Sequence, residues 1–265
     1  MSYQIRFFEK NKADFSDAAV VATASQGVGF ETFALNRSNL SAWVTNSSVD
    51  ADNTTFTIDF GDLHYIDSVL LVKHNFKAYT VKYWDGSAYQ DFSTAINVSG
   101  NSDETKFHQF TAVNTTKVQL TITGTMTANQ DKFLYQFIVT KQIGQFNGWP
   151  VIKNPIVSRN RQFSKMLSGK QSVREMIGAF SCTLSVKTLS NSADLDIIES
   201  LYLSNEGFLL WLCGGSESQF SSSRIGYRME DLYLMKCHNE YKPEFYNGLY
   251  KAGIVTTVDL VEVVD

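Results

Sequence analysis

The sequence predicts a mainly β protein, with a β-sandwich in its first half and a second antiparallel β-sandwich or barrel with one flanking helix. Three observations predict this. Short β-rich runs separated by turn residues occupy about residues 54 to 143, a proline-containing stretch follows them, and the second half contains a single convincing helical segment.

The first half contains a series of short segments with the residue patterns of β-strands. "TFTIDFG" and "AYTVKYW" alternate apolar and polar residues, and "SVLLVKHN" between them is largely apolar. "SAYQDF", "KFHQFTAV", "KVQLTITG" and "FLYQFIVTKQIG" continue the series. Closely spaced short strands of this kind are typical of an antiparallel sandwich, in which one face of each strand packs on the core.

Asp59 lies between the apolar residues Ile58 and Phe60 and is followed by Gly61. Successive side chains of a strand point to opposite faces, so Asp59 faces away from its two neighbours. We therefore expect an exposed or turn-bonded carboxylate, with Gly61 permitting the turn. A catalytic role for this carboxylate is the minor alternative.

The stretch "GWPVIKNP" contains two of the three prolines of the chain. Each proline restricts its own φ angle and the residue before it, so we place the domain boundary here, with domains 1–147 and 148–265.

A basic arm, residues 153–174, follows the boundary and contains no Asp or Glu. We expect a long loop or arm, with Arg159, Arg161, Lys165 and Lys170 as candidate contacts to another subunit. A mobile surface loop is the alternative.

The second unit begins with the alternating strand "GAFSCTLSVKTL". "NSADLDIIESLYLSNEG" predicts a helix with Asn191 or Ser192 as N-cap and acidic residues near its positive start. Its apolar face comprises Leu195, Ile198, Leu201 and Tyr202. "GFLLWLCGG", "YRMEDLYLMKCHNEY" and "LYKAGIVTTVDLVEVV" predict three further strands.

The residues that most often carry chemistry are scattered. The four histidines form no H-E-x-x-H pair, and the sequence lacks a glycine-rich phosphate loop. The three cysteines lack metal-type spacing and are expected as buried thiols. We predict no enzyme, no cofactor and no metal; a hydrolase using carboxylates such as Asp59 is the third hypothesis.

The net charge of −4 and pI near 5.6 give no general attraction to nucleic acid. No run of about 20 apolar residues predicts a membrane span, and the start of the chain has no secretory signal pattern. We expect synthesis in a cytoplasm, without membrane insertion.

Aromatic residues make up 13% of the chain. On a sandwich surface, Trp and Tyr stack on sugars or are buried at protein interfaces, although core packing is the commoner role. The candidate ligand contacts are Trp43, Asn75 and Trp84.

The first half resembles the discoidin group of galactose-binding-like, jelly-roll sandwiches. The similar pieces, in the order of that family, are "NRSNLSAWVTNSS", "TTFTIDFGD", "YIDSVLLVKHN", "AYTVKYWDGSAYQDF" and "HQFTAVNTTKVQLTITG". The resemblance covers about residues 30 to 143. It implies a non-catalytic adhesion module that binds sugars, lipids or proteins through loops at one end. The terminal cysteine pair of many members is missing here, and the loop around Trp43 lacks a run of His and Arg.

The second half resembles tail-tube and baseplate proteins of bacteriophages in its order of arm, strand, helix and later strands. This resemblance implies a structural virion protein in a phage tail, made in the host cytoplasm. It would form a homo-oligomeric ring, with a hexamer expected, and would contact other tail proteins and a host-surface glycan. The alternative from another class is a carbohydrate-binding, lectin-like protein in which the second half is only a scaffold.

Overall fold

The computed structural model describes residues 5–27, 30–36, 41–46, 49–146, 151–157, 160–165, 171–176, 179–188, 193–212, 232–242, 244–245 and 254–263. It divides into two compact units, which we call the sandwich unit (residues 9–142) and the sheet unit (residues 1–8 with 143–265). The protein is mainly β with antiparallel sheets, as predicted.

The sheet unit takes up the N-terminal residues that the sequence placed in the first domain. Strand β1 (Arg6–Glu9) lies between β14 and β9 in the sheet of that unit. Because β1 and β9 are neighbours there, the sandwich is an insertion between two adjacent strands. The backbone N–H of Glu9 donates to the carbonyl of Lys141, which brings the two ends of the sandwich together.

The structure describes seven strands in the sandwich unit: β2 (Val21–Ala24), β3 (Trp43–Val44), β4 (Thr54–His74), β5 (Phe76–Trp84), β6 (Tyr89–Val98), β7 (Lys106–Thr125) and β8 (Phe133–Thr140). A 3₁₀ turn, Glu31–Ala34, lies between β2 and β3. The strand order is β3-β8-β4-β7-β5-β6, with β2 pairing on β4.

The long strands β4 and β7 each pass through both layers of the sandwich. The start of β4 pairs with β2 and with the end of β7, whereas its later half pairs with β8 and with the start of β7. The pairing breaks between Asp59 and His64, where the chain turns from one layer to the other. Apolar residues from both halves meet in one core, for example Ile58 and Leu71.

In its described residues, the sheet unit contains nine further strands beyond β1, and one helix. They are β9 (Gln142–Gln145), β10 (Val151–Val157), β11 (Asn160–Lys165), β12 (Gln171–Met176), β13 (Phe180–Thr188), β14 (Phe208–Trp211), β15 (Leu232–Cys237), β16 (Glu244–Phe245) and β17 (Ile254–Glu262), with α1 (Ala193–Leu203). The main sheet has the order β10-β13-β17-β15-β14-β1-β9, with β16 on β17.

Helix α1 packs on this sheet as its pattern predicts. Ile198 and Leu201 are buried in the core of the unit, and Tyr202 packs against it. Gly207 adopts a φ of 90° shortly after the helix, where the missing Cβ removes the steric cost. The predicted N-cap residues Asn191 and Ser192 lie outside the described residues.

The described part of the basic arm is strand rather than loop: residues 153–157 belong to β10 of the main sheet, and β11 and the first residues of β12 complete it. Strands β11 and β12 pair with each other in continuous register from Asn160–Met176 to Lys165–Gln171. In the described part of the chain they form a separate two-stranded sheet. Arg161 and Lys165 belong to β11, whereas Arg159 and Lys170 lie outside the described residues.

Candidate functional site

Trp43 is a core residue. Its side chain is 0% exposed, and its ring packs edge-on against Phe56 at 4.9 Å between centroids. The backbone of Trp43 pairs with Leu134 of β8, which turns the indole inward. The predicted ligand contact is therefore corrected: a fully buried indole offers no surface to a ligand.

Asn75 is also buried and serves the fold. It lies in the turn between β4 and β5, where its Nδ2 donates to the carbonyl of Asp131 at 2.8 Å. Its Oδ1 accepts the N–H of Phe133 at 3.1 Å. The side chain thus ties this turn to the start of β8 and is not available to a ligand. The loops implied by the discoidin resemblance lie partly in residues 28–29, 37–40 and 47–48, outside the described residues.

Trp84 is the predicted contact that reaches the surface. It ends β5, is half-exposed, and lies edge-on to Tyr89 of β6 at 5.1 Å between centroids. The turn between them is held by Asp85, whose Oδ1 accepts the N–H groups of Ser87 and Ala88. These hydrogen bonds lower the pKa of Asp85 to about 2, so the carboxylate that holds the turn stays ionised at any ordinary pH.

Thr115 fixes the backbone beneath this aromatic pair. Its hydroxyl is buried and accepts the N–H of Trp84 at 3.2 Å and the N–H of Lys117 at 3.1 Å. The same Oγ1 lies 2.8 Å from the carbonyl oxygens of both residues. One buried hydroxyl therefore joins β5 to β7 where Trp84 and Lys117 emerge.

Lys117 forms an ion pair with Asp59 across β7 and β4, with 2.6 Å between Nζ and Oδ2. The hydrogen bond and charge of Asp59 raise the pKa of Lys117, and Tyr89 adds a smaller contribution. Burial opposes ionisation of Asp59, but the hydrogen bonds from Lys117 and Gly61 and the charge of Lys117 together lower its pKa. Asp59 is thus the turn-bonded carboxylate that the sequence predicts, since it accepts the N–H of Gly61 at 3.1 Å.

The strand register places these groups on one face. Asp59 is opposite Lys117, and Trp84 is opposite Tyr89. Tyr83, the neighbour of Trp84, packs towards the core, so Trp84 points outward. We call these four residues the Trp84 face: Asp59, Lys117, Trp84 and Tyr89.

The Trp84 face has the chemistry of a binding surface. Two aromatic rings offer apolar area, while the ammonium and carboxylate offer donors and acceptors beside them. A general acid needs a carboxyl group whose pKa is raised towards neutrality. The pKa of Asp59 is lowered instead, so this carboxylate is not suited to act as a general acid.

The histidines and thiols of the described regions include no activated group. Burial lowers the pKa of His74 to about 3 and that of His108 to about 4, so both are neutral near pH 7. Burial raises the pKa of Cys182 and Cys237 to about 12, far from the thiolate that reactivity requires. Cys213 lies outside the described residues. Within the described ranges, no cluster of three or more His, Cys, Asp or Glu side chains is suited to a metal ion.

The sequence pattern did not identify Lys117 or Thr115. Thr115 lies within the turn-like "NTT" of β7 and Lys117 directly follows it, and only the tertiary structure shows that Lys117 meets Asp59 and that Thr115 bonds Trp84. The choice of Trp84 as a candidate contact and the outward position of Asp59 in the alternating pattern were the signals for this face.

The described part of the chain contains no helix with the length and apolar character to span a bilayer.

No family model and no curated protein matches the sequence. Solved structures of carbohydrate-binding modules are similar to part of it. Chitosan-binding module 1 of a chitosanase/glucanase from Paenibacillus sp. IK-5 has a TM-score of 0.42 and 20% identity, over 49% of this chain and 98% of that chain.

Two family 32 CBM structures from Clostridium perfringens are also similar. One, in complex with GalNAc-β-1,3-galactose, has a TM-score of 0.38 and 20% identity, over 46% of this chain and 94% of that chain. The other, from NanJ and in complex with galactose, has a TM-score of 0.40 and 13% identity, over 47% of this chain and 95% of that chain.

Proposed function

We propose that this protein is a non-catalytic carbohydrate-binding protein whose ligand site is the Trp84 face of the sandwich unit. The observation that carries the proposal is the half-exposed Trp84–Tyr89 pair, held beside the Asp59–Lys117 ion pair on one outward face. Aromatic rings stack on the apolar C–H faces of sugars, and paired charged groups bond their hydroxyls.

The side chains of the site are held in position by the protein itself. The capped turn at Asp85 and the buried hydroxyl of Thr115 hold the two aromatic residues and Lys117 from below. A preformed site loses less side-chain entropy on binding than a mobile one. Because the face is open rather than a closed cleft, we expect weak, reversible binding to a single site.

The test is a glycan array probed with the intact protein, followed by calorimetry with the glycans that bind. Trp84→Ala and Tyr89→Ala are expected to lose at least about tenfold in affinity, since each removes a stacking ring. Tyr135→Ala is the matched control, because Tyr135 is a half-exposed aromatic residue of the other layer. Glycan binding that survives Trp84→Ala unchanged would place the ligand elsewhere, and an array without signal would contradict the proposal.

We also propose that the sheet unit assembles the protein into a homo-oligomeric ring, with six subunits expected, as a structural part of a phage tail. The supporting observation is the β11–β12 hairpin, which is separate from the main sheet in the described residues and includes Arg161 and Lys165. An unpaired hairpin edge is a liability for a monomer, and a neighbouring subunit would cover it. The other tail proteins and the virion location belong to the same proposal.

Native mass spectrometry of the protein at tens of micromolar tests the ring. We expect a discrete oligomer, and its dissociation by the double change Arg161→Glu and Lys165→Glu. Lys236→Glu is the control, because Lys236 is an exposed basic residue of β15 in the same unit. A monomer under all conditions, with no binding to a tail-tube protein, would contradict this second proposal.

A further inference from the structure

A row of polar side chains crosses four strands beside the Trp84 face. Thr57 of β4 is opposite Gln119 of β7, Gln119 is opposite Lys82 of β5, and Lys82 is opposite Asp91 of β6. Each position is two residues from a member of the Trp84 face on the same strand, so both rows point outward. We call these four residues the polar row: Thr57, Gln119, Lys82 and Asp91.

The polar row is linked by contacts between its own members. Gln119 donates from Nε2 to Oγ1 of Thr57 at 3.2 Å, and Nζ of Lys82 lies 3.4 Å from Oδ1 of Asp91. Thr57, Gln119 and Lys82 are half-exposed and Asp91 is exposed. The second carboxylate oxygen of Asp91 and the amide oxygen of Gln119 can accept hydrogen bonds from water or from a ligand hydroxyl.

We infer that the Trp84 face and the polar row together bind an extended, uncharged oligosaccharide that runs across the strands, rather than a single terminal sugar. This inference rests on the proposed carbohydrate-binding function. Neighbouring strands lie ~4.8 Å apart, close to the length of one pyranose unit in an extended chain. A sugar stacked on Trp84 therefore places its neighbours over β7 and β4, where the polar groups recur with the same spacing.

The charges of the two rows favour a neutral ligand. Lys117 is paired with Asp59, and Lys82 is paired with Asp91, so the two ammonium groups are matched by two carboxylates. An anionic glycan would be attracted by the ammonium groups but repelled by the carboxylates beside them. Hydroxyl and acetamido groups, by contrast, use both the donors and the acceptors of each pair.

Calorimetry with a length series tests the inference. The probes are N-acetylglucosamine and its β-1,4-linked dimer, trimer and tetramer, the corresponding β-1,4-linked galactose series, and a heparin tetrasaccharide as the anionic comparison. In one neutral series, we expect affinity to rise about tenfold from monomer to trimer, as hydrogen bonds to the polar row are added. The heparin fragment is expected to bind more weakly than the neutral trimer.

Gln119→Ala tests whether the polar row contributes to oligosaccharide binding. It is expected to remove most of the gain from monomer to trimer and to leave monosaccharide binding unchanged. Gln109→Ala is the matched control: Gln109 is an exposed glutamine of the same strand, paired in the other layer. Thermal melting confirms that both variants are folded.

Four results would overturn the inference. Equal affinity for monomer and trimer, or a trimer affinity unchanged in Gln119→Ala, would confine the site to the Trp84 face and leave the proposed function intact. Tighter binding of the heparin fragment than of the neutral trimer would refute the uncharged ligand class. A lack of binding to every glycan at millimolar concentration would remove the proposed function together with the inference.

Discussion

The two ends of strand β5 differ in whether the polar and aromatic side chains around them face the core or the solvent. Beside its start, Asn75 and Lys132 are buried, and their polar groups bond the backbone of neighbouring loops. At its end, Trp84 and Tyr89 are half-exposed and lie beside Lys117. The first end stabilises the fold and the second presents groups to solvent, so residue type alone does not identify a binding site.

Lys132 illustrates the inward-facing end. Its Nζ donates to the carbonyl of Asp52 at 2.7 Å, and burial lowers its pKa. Nearby, the carboxylate of Asp50 accepts the hydroxyl of Thr125 at 2.7 Å. These charged groups connect loops that are far apart in sequence, which is a structural role.

The pair of tryptophans gives the sharpest contrast between the ends. Trp43→Ala is expected to lower the free energy of unfolding by about 3–5 kcal/mol, because it leaves a cavity in the core. Trp84→Ala is expected to cost about 1 kcal/mol or less, since the indole is already partly in water. Urea unfolding followed by circular dichroism measures both. Equal losses would mean that Trp84 is a structural residue too.

Asn75→Ala is expected to cost about 2 kcal/mol, because it removes two partly buried hydrogen bonds, one to the carbonyl of Asp131 and one from the N–H of Phe133. Asn97→Ala is the control, since Asn97 is exposed on β6. The same urea titration separates them. A loss of sugar binding in Asn75→Ala without a loss of stability would mean that Asn75 contacts the ligand after all.

Stability should fall with acid through the buried histidines. The Nδ1 of His74 accepts the N–H of Phe76, and Nε2 of His108 lies 2.8 Å from the hydroxyl of Tyr79. Burial is the main cause of their low pKa values, with Lys106 opposing protonation of both and Asp103 favouring that of His74.

The folded pKa values, about 3 and about 4, lie below the ordinary value of 6.5. The unfolded chain therefore binds more protons below pH ~6.5, and these histidines lower stability as the pH falls from there towards 4. The expected slope is up to about 1.4 kcal/mol per pH unit for each histidine. His108→Gln should reduce the slope measured by urea unfolding between pH 7 and 5, whereas the exposed His238 offers His238→Gln as a control. An unchanged slope would contradict the assignment.

The ion pair of the Trp84 face should matter least for stability. Asp59→Asn is expected to change the free energy of unfolding by about 0.5 kcal/mol or less, because both partners are about one third exposed and screened by water. Its effect on binding is expected to be larger, since Lys117 loses its fixed position. Thermal melting and calorimetry on the same variant distinguish the two. A large loss of stability would make this pair part of the fold.

The alternating pattern around Asp59 predicted its outward direction, and the helix pattern from Ala193 predicted the buried residues Ile198 and Leu201. Both are local consequences of backbone period. The boundary at 147 did not anticipate that residues 1–8 belong with the second unit, because a short edge strand shows its partner only when the sheet forms. For the same reason the sequence of the basic arm did not show that β11 and β12 pair with each other.

The positions of the tryptophans show the same limit. Both lie near turn-like segments, and local sequence does not distinguish them. Trp43 is buried because β3 pairs with β8, and Trp84 is only half-buried because it follows Tyr83 at the end of a strand with one buried face.

The sequence was sufficient for the fold class, the strand-rich first half, helix α1 and the outward carboxylate of Asp59, since each depends on residues within one strand or helix. The tertiary structure decided which of Trp43 and Trp84 reaches the surface, brought Lys117 to Asp59 and Thr115 to Trp84, and aligned Gln119 with Lys82. Those pairings join residues that are between about 30 and 60 positions apart, and their register is set by the packing of the whole sandwich core.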